Sequence, residues 1–199
     1  YTRCLGARSN GDYIYKMNLP NKKYNIIYAD PPWSFNSSIY QDGGRTFDKK
    51  IEDHYQTMSV DDIKNLPVKN ITDKDCILFL WSTDSHLPEA LEVIKNWNFK
   101  FKTIGFTWVK QYKSGSYCYN FGAYTLKSTE ICLIALKGKL KNIKKTNNVK
   151  GLVFAERTKH SKKPACIRDK IIELCGDIPR IELFARQKTP GWDVWGNEV

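Results

Sequence analysis

An aspartate that closes an apolar run and is followed at once by two prolines leaves a chain little freedom. Tyr24 to Ala29 is short, apolar and rich in β formers, which predicts a buried strand. Asp30 stands at its carboxyl end, and Pro31 and Pro32 offer no N–H with which to extend a ladder. In open α/β sheets, ligands bind in the crevice beyond the carboxyl ends of the strands. Ala29-Asp30-Pro31-Pro32-Trp33 therefore puts one carboxylate, two stiff carbonyls and an indole at the edge of a pocket. Such a set suits a planar ligand carrying an amino group. The carboxylate and a proline carbonyl accept its two N–H bonds, and the indole stacks on its ring. An amine on a heteroaromatic ring is a poor nucleophile, and two acceptors beside it raise its electron density and hold it in line with an electrophile. On these five residues alone, a strand-ending Asp-Pro turn with a core Trp accounts for the pattern equally well.

Further along, the elements alternate. Ser59 precedes Val60-Asp61-Asp62-Ile63, a helix start with acids in its first turn, and Pro67 stops that helix. Cys76 to Trp81 reads as a second buried strand. Asp84 is the expected cap of a helix from Leu87 to Trp97, whose Leu87, Leu91 and Ile94 recur at helical spacing and belong to the core. Phe101 to Lys110 is a third strand with Phe106 and Trp108 on one face, and Ser128 to Lys137 a fourth. Val153 to Glu156 is a short strand. A helix from Ala165 to Cys175 has Pro164 at its start, Ser161 as a cap and Gly176 at its end. Arg180 to Arg186 is the last strong strand, and Trp192 and Trp195 are packing residues. Strands alternating with helices predict an α/β fold.

Two segments have the composition of contact loops. Ser34 to Asp53 is long and polar, the mark of a functional lid, and its Arg45, Lys49 and Lys50 are placed to meet phosphate. Tyr112, Tyr117, Tyr119, Phe121 and Tyr124 stand among Gly, Ser and Lys, a spacing used for single-stranded or flipped bases and equally that of a loop packed on its own rings. The net charge is +11, and from Lys137 to Lys163 there are ten Lys or Arg against one acid, Glu156. That clustering favours a phosphate-facing surface.

Other classes are disfavoured. Six cysteines without a C-x-x-C pair and three scattered histidines argue against a metal site, and against a zinc-dependent base deaminase. No G-x-G-x-x-G supports a nicotinamide site. No apolar run approaches the roughly 20 residues of a membrane span. The chain opens on Tyr1, and no signal peptide is legible in it. The cysteine pattern fits a reducing compartment, so an intracellular protein is expected, cytoplasmic or in the nucleoid or nucleus. At 199 residues, 1–199 is expected to be a single domain.

Asp-Pro-Pro-Trp after an apolar strand resembles the amino-group methyltransferases that use S-adenosylmethionine. With Trp in fourth place it is similar to the MT-A70 family of N6-adenine methyltransferases. The likeness continues in order through His54-Tyr55-Gln56-Thr57-Met58, Ile77-Leu78-Phe79-Leu80-Trp81-Ser82-Thr83 and Phe106-Thr107-Trp108-Val109-Lys110. After these come Glu130-Ile131-Cys132-Leu133 with Lys137-Gly138, then His160-Ser161-Lys162-Lys163-Pro164, Ile181-Glu182-Leu183-Phe184-Ala185-Arg186 and Gly196-Asn197-Glu198.

The resemblance implies a circularly permuted, Rossmann-like class I methyltransferase fold, with a mostly parallel sheet and helices on both faces. It implies catalysis by Asp30, Pro31, Pro32 and Trp33, with Asp30 and Pro31 also bordering S-adenosylmethionine. Asp12 and Tyr13 would lie by the cofactor's adenine. Lys137 would bind its carboxylate, while His160, Ser161 and Lys163 border the methionine end. Arg186, Lys188, Asn197 and Glu198 would reach the ribose, although Lys188 and Thr189 replace a His-Asn pair found in some members. The target adenine would stack on Trp33, with Arg45, Lys49, Lys50, Tyr112, Tyr117 and Tyr119 on the nucleic acid. DNA is favoured over RNA, because the chain lacks the long amino-terminal extensions of the large eukaryotic members. The alternatives are an RNA N6-adenosine methyltransferase, a non-catalytic nucleic-acid-binding subunit, or an enzyme acting on cytosine or a protein glutamine. A monomer or homodimer is compatible with the sequence, and an obligate heterodimer stays open.

Overall fold

The computed structural model describes residues 18–34, 57–122, 124–158 and 162–199. Among these residues lie the strands β1 (Tyr24–Ala29), β2 (Thr72–Ser82), β3 (Lys100–Gln111), β4 (Thr129–Lys137), β5 (Leu152–Glu156), β6 (Arg180–Leu183) and β7 (Asp193–Trp195). The α-helices are α1 (Val60–Asn65), α2 (Leu87–Asn96) and α3 (Cys166–Cys175). The strands form a seven-stranded sheet in the order β5-β3-β4-β2-β1-β6-β7, so the fold is mixed α/β. β1 is parallel to β2 and β6, β6 to β7, and β3 to β5. β4 is antiparallel to both of its neighbours, β2 and β3. Its amino end therefore lies beside the carboxyl ends of the other strands.

β1 sits inside the sheet because neither of its faces can meet water. Ile26 and Tyr28 point into one core with Phe79, Trp81, Phe106 and Trp108, closed by Ile167, Ile171 and Cys175 of α3. Ile27 and Ala29 point into the other with Leu78, Leu80 and Leu133, closed by Ile63 of α1 and Ala90, Val93 and Ile94 of α2. A strand buried on both faces has to be apolar throughout, and this one is. Three fully buried tryptophans keep their N–H groups bonded. Trp81 donates to the Tyr28 hydroxyl at 2.8 Å, Trp97 to the Ile63 carbonyl at 2.9 Å and Trp108 to the Ala155 carbonyl at 3.0 Å.

Local chemistry sets the ends of the elements. Ser59 caps α1 by accepting from the Asp62 N–H, and the helix stops before Pro67. Gly176 ends α3 with φ of 85°, a conformation costly for any residue with a Cβ. Three expectations are corrected here. Asp84 lies in a short 3-10 turn and pairs with Lys127 at 3.0 Å instead of capping α2. Leu91 is exposed, because Ala90, Val93 and Ile94 form the inward stripe of α2. The last strong strand ends at Leu183, not Arg186, because Phe184 adopts φ of 61° and cannot continue a ladder.

Across the α3 face, Arg168 donates to both oxygens of Glu182 on β6, at 2.7 and 2.6 Å, and its guanidinium lies over the Tyr28 ring. Both side chains are about nine-tenths buried. Removing one partner of such a pair leaves a charge stranded. Glu182→Gln is therefore expected to lower unfolding stability by about 3 kcal/mol, measured by urea titration. An unchanged midpoint would show that the pair contributes nothing net.

Candidate active site

The strand directions gather charged side chains at one end of the sheet. Asp30 follows the last residue of β1, and Glu130 is the second residue of the reversed strand β4. Lys110 lies near the carboxyl end of β3, and Lys163 arrives on the segment ahead of α3. The Lys163 ammonium is 2.8 Å from both carboxylate oxygens of Asp30 and 3.0 Å from Glu130 Oε2. Glu130 Oε1 in turn meets the Lys110 ammonium at 2.5 Å. The four side chains form a chain of alternating charge, Asp30–Lys163–Glu130–Lys110. Each cation also lies over an indole, Lys163 over Trp81 at 5.5 Å and Lys110 over Trp108 at 5.3 Å.

The four groups are not equivalent. Burial pushes the Asp30 carboxyl above its ordinary range, aided by Glu130 and opposed by Lys163 and Arg186. Burial also works against charge on Glu130, but the two flanking ammonium groups outweigh it and hold that carboxyl below its ordinary range. Lys163 is desolvated too, yet Asp30 and Glu130 together raise it. The Asp30 side chain keeps 21% of its surface accessible, against 7% for Glu130 and 10% for Lys163. Asp30 is thus the member that a ligand reaches.

The two prolines shape the turn after β1. The Pro31 carbonyl accepts from the Trp33 N–H at 2.9 Å, and the Pro32 carbonyl from the Met58 N–H at 2.9 Å. Each oxygen keeps a second lone pair. The Trp33 indole does not offer the open face expected for a target base. It is 7% exposed, donates to the Trp81 carbonyl at 3.1 Å and stacks on His86 with centroids 5.7 Å apart. The residue is apolar enough to be worth more inside the core than at a rim. His86 completes the clamp. Its Nε2 is 3.1 Å from the Ser34 carbonyl, which can only accept, and its Nδ1 is 2.8 Å from the Thr83 hydroxyl.

Other expected residues reach the same end. Arg186 lies close enough for its charge to act on Asp30. Asn197 and Glu198 are exposed just beyond the carboxyl end of β7. Gly196 lets that end approach, since a Cβ there would strike the Ala185 backbone, and the Ala185 N–H donates to the Trp195 carbonyl at 3.0 Å. Phe184, in its left-handed conformation, packs edge-on against Trp195. Such backbone strain collects at ligand sites. Tyr112, Tyr117 and Tyr119 lie on the loop that leaves the carboxyl end of β3, each about half exposed, with the last two rings edge to face at 6.5 Å. That loop is tied down by Cys118, buried, whose N–H donates to the Lys110 carbonyl.

Two expected contacts fall elsewhere. Lys137 is the last residue of β4, and because that strand runs backwards it sits beside Cys76 at the amino end of β2. Its ammonium donates to the Thr72 hydroxyl at 2.6 Å. The lysine that stands by Asp30 is Lys163. Lys188 lines an open cleft of about 500 Å³ with Lys22, Tyr24, Trp192 and Asp193, beside the first residues of β1 and β7. Asp12, Tyr13, Arg45, Lys49, Lys50, His160 and Ser161 lie outside the described residues. Glu130, Lys110 and His86 were not singled out as site residues. A signal existed for the first two: an acid in an otherwise apolar strand is costly unless a base faces it.

Comparison with known proteins agrees with this geometry. A family model described as MT-A70 matches residues 24–198. The chain is 35% identical over 192 residues to the Type II methyltransferase M.MunI of a Mycoplasma species, covering 91% of this chain and 80% of that protein. It is 29% identical over 194 residues to the N(6)-adenine-specific methyltransferase METTL4 of Mus musculus, covering 89% of this chain and 38% of the relative. It is 24% identical over 205 residues to the N6-methyladenosine RNA methyltransferase MTA1 of Pyricularia oryzae, covering 98% and 51%.

The two acids of the site are expected to respond oppositely to neutralisation. Glu130 has a depressed folded value, so its stabilisation is present above the ordinary carboxylate range and is lost as pH falls through the folded value. Asp30 has a raised folded value, so its ionised form costs stability at neutral pH. Glu130→Gln is expected to destabilise by about 3 kcal/mol at pH 7, because two buried ammonium groups lose their shared partner. Asp30→Asn is expected to leave the melting temperature unchanged or raise it. Thermal melts of both variants check the contrast, and equal losses would overturn it.

Proposed function

The chain belongs to the MT-A70 family, and from that membership we propose how it acts: as an N6-adenine methyltransferase that draws on S-adenosylmethionine and takes its target from DNA. The observation that carries the reading is Asp30 at the carboxyl end of β1, with its oxygens held by Lys163 and with the Pro31 carbonyl next in the chain as a second acceptor. The order of elements supports a circularly permuted class I methyltransferase sheet, with the Asp30 strand first and the strand ahead of Arg186 near the end of the chain. Residues 1–199 are read as one methyltransferase domain.

The donors and acceptors at this end suit S-adenosylmethionine. Lys163, whose three donors are spent on Asp30 and Glu130, borders the methionine end by family resemblance, and Asn197 and Glu198 are the exposed partners for a ribose diol. When bound, the cofactor supplies a methyl group on a positively charged sulfur. Asp12, Tyr13, His160 and Ser161 complete that contact by family resemblance.

The protein's own task is to hold and orient the amine. Asp30 uses two oxygen lone pairs on Lys163 and keeps the others for an N–H of the target. The second lone pair of the Pro31 carbonyl takes the other N–H. Both acceptors favour the charge that develops on nitrogen, and the fixed turn supplies the alignment. Glu130 and Lys110 act as positioning residues: they balance Lys163, so that its charge does not have to be satisfied by Asp30 alone. Trp33 and His86 keep the turn in place. The amine proton leaves to water, and no covalent enzyme intermediate forms. The target adenine is single stranded or flipped out of its duplex, within reach of Tyr112, Tyr117 and Tyr119.

DNA is favoured by the Type II methyltransferase, which the chain matches over 80% of that protein's length, against 51% of the RNA methyltransferase. A DNA substrate and the cysteine pattern together support the reading that the protein acts inside the cell. Asp30→Ala is expected to reduce transfer from tritiated cofactor by at least about 100-fold while leaving DNA binding largely intact. Near-normal transfer by that variant would sink the assigned chemistry. Mass spectrometry of the product is expected to find N6-methyladenine in DNA, and methyl groups found mainly in RNA would overturn the choice of polymer. The wild-type acid limb of kcat/KM is expected above the ordinary aspartate range, because burial raises Asp30 and the amine needs its ionised form.

A further inference from the structure

The basic tract that runs from Lys137 to Lys163 does not gather at the catalytic end. Because β4 runs backwards, the chain leaves it at the opposite end of the sheet, where Lys139 and Lys141 follow. Their neighbours there are the amino ends of β2 and β3. Gly138 packs against Lys74 and Asp75, and Lys100 pairs with Leu136 of β4. The Lys69 carbonyl accepts from the Thr72 hydroxyl, to which Lys137 donates. Lys145 donates its backbone N–H to Leu174 near the end of α3, on the same side. Lys69, Lys74, Lys100, Lys139, Lys141 and Lys145 are all exposed.

The acids at this end make no ion pair with them among the described residues, although the charges of Lys74 and Lys139 act on Asp75. Asp75 accepts from the Lys139 backbone N–H at 2.7 Å and from Asn142 at 2.6 Å. Asp73 accepts from the Lys74 backbone N–H, and Asp177 pairs with Arg180. Among the described residues none of these six lysine ammonium groups makes an ion pair. At the catalytic end the buried cations are matched by acids, while Lys162 and Arg157 bond the neutral Gln187 and Asn120. Lys110 and Lys163 meet Glu130 and Asp30, and Lys127 meets Asp84. A group of six exposed ammonium groups without an ion pair among the described residues thus lies away from the chemistry.

We propose that this lysine-lined end is a second surface for the phosphate backbone of nucleic acid, separate from the one that presents the target base. Single ammonium groups on flexible stems suit phosphates read without regard to sequence. Counting about 3.3 Å per residue along β2, the surface stands roughly 25 Å from Asp30. A straight segment engaged at the catalytic rim does not reach it, so it holds another stretch of the same polymer or a second molecule. The inference rests on the reading that the substrate is nucleic acid. It predicts an anchor that raises local substrate concentration without entering the transfer step.

The test uses the full chain with Lys100, Lys139 and Lys141 all changed to Gln, and a duplex of G·C pairs that lacks the target base. Binding is followed by fluorescence anisotropy as salt is raised. The wild type is expected to bind with a steep salt dependence. The triple variant is expected to bind about 10-fold more weakly at low salt, with a slope smaller by about 2.7 for three lost phosphate contacts. Its melting temperature and its kcat on a saturating adenine oligonucleotide should match the wild type. Lys→Arg at the same three positions should keep the wild-type slope. An unchanged slope in the Gln variant overturns the proposal, as does wild-type binding to anionic lipid vesicles with none to the duplex. Should the wild type methylate no nucleic acid while the slope still falls, the catalytic reading fails and the anchoring surface stands.

Discussion

Burying an ion is costly, and four ions packed in a row are tolerable only if their signs alternate. Asp30, Lys163, Glu130 and Lys110 meet that condition with contacts between 2.5 and 3.0 Å. The row crosses three strands, so the positions of β1, β4 and β3 are tied to one another through charge as well as through their ladders. It also divides labour between the acids. Glu130 is enclosed by two cations and serves the fold. Asp30, at the open end of the row, is held by one and remains available to a ligand. Burial raises the Asp30 carboxyl, while two flanking ammonium groups outweigh the same effect and lower that of Glu130, which is how one site keeps two acids in different roles.

Much of this was legible in the residues. The run from Tyr24 to Ala29, the proline pair, the Ser59 cap and Gly176 each carry their structural meaning locally, and the elements they bound lie where the pattern puts them. The turn chemistry around Asp30 was legible for the same reason. What was not legible depends on strand direction. Nothing within Thr129–Lys137 says that the segment enters the sheet reversed, because a strand buried on both faces has the same composition read either way. That single unknown misplaced Lys137, hid Glu130, and left open at which end of the molecule the lysines after it lie.

Trp33 shows a second limit. Its position after Asp-Pro-Pro offered two readings, a platform for a base and a core residue, and sequence spacing does not separate them. The structure selects the core, with the indole N–H committed to the Trp81 carbonyl and one ring face given to His86. The exposed aromatic surface at this end is instead that of the tyrosines after β3, which the charge-and-aromatic pattern marks.

The central place of β1 has a consequence for how the molecule is made. One flank of β1 is covered by β2, within the next several dozen residues, but the other waits for β6, whose last residue, Leu183, lies about 150 positions downstream. At typical synthesis speeds of 5–20 residues per second, a nascent chain carries that unpaired hydrophobic edge for roughly ten to thirty seconds. A ribosome that stalls anywhere before Leu183 therefore releases a half-built sheet with a sticky flank, a substrate for chaperones and proteases rather than a partly working catalyst.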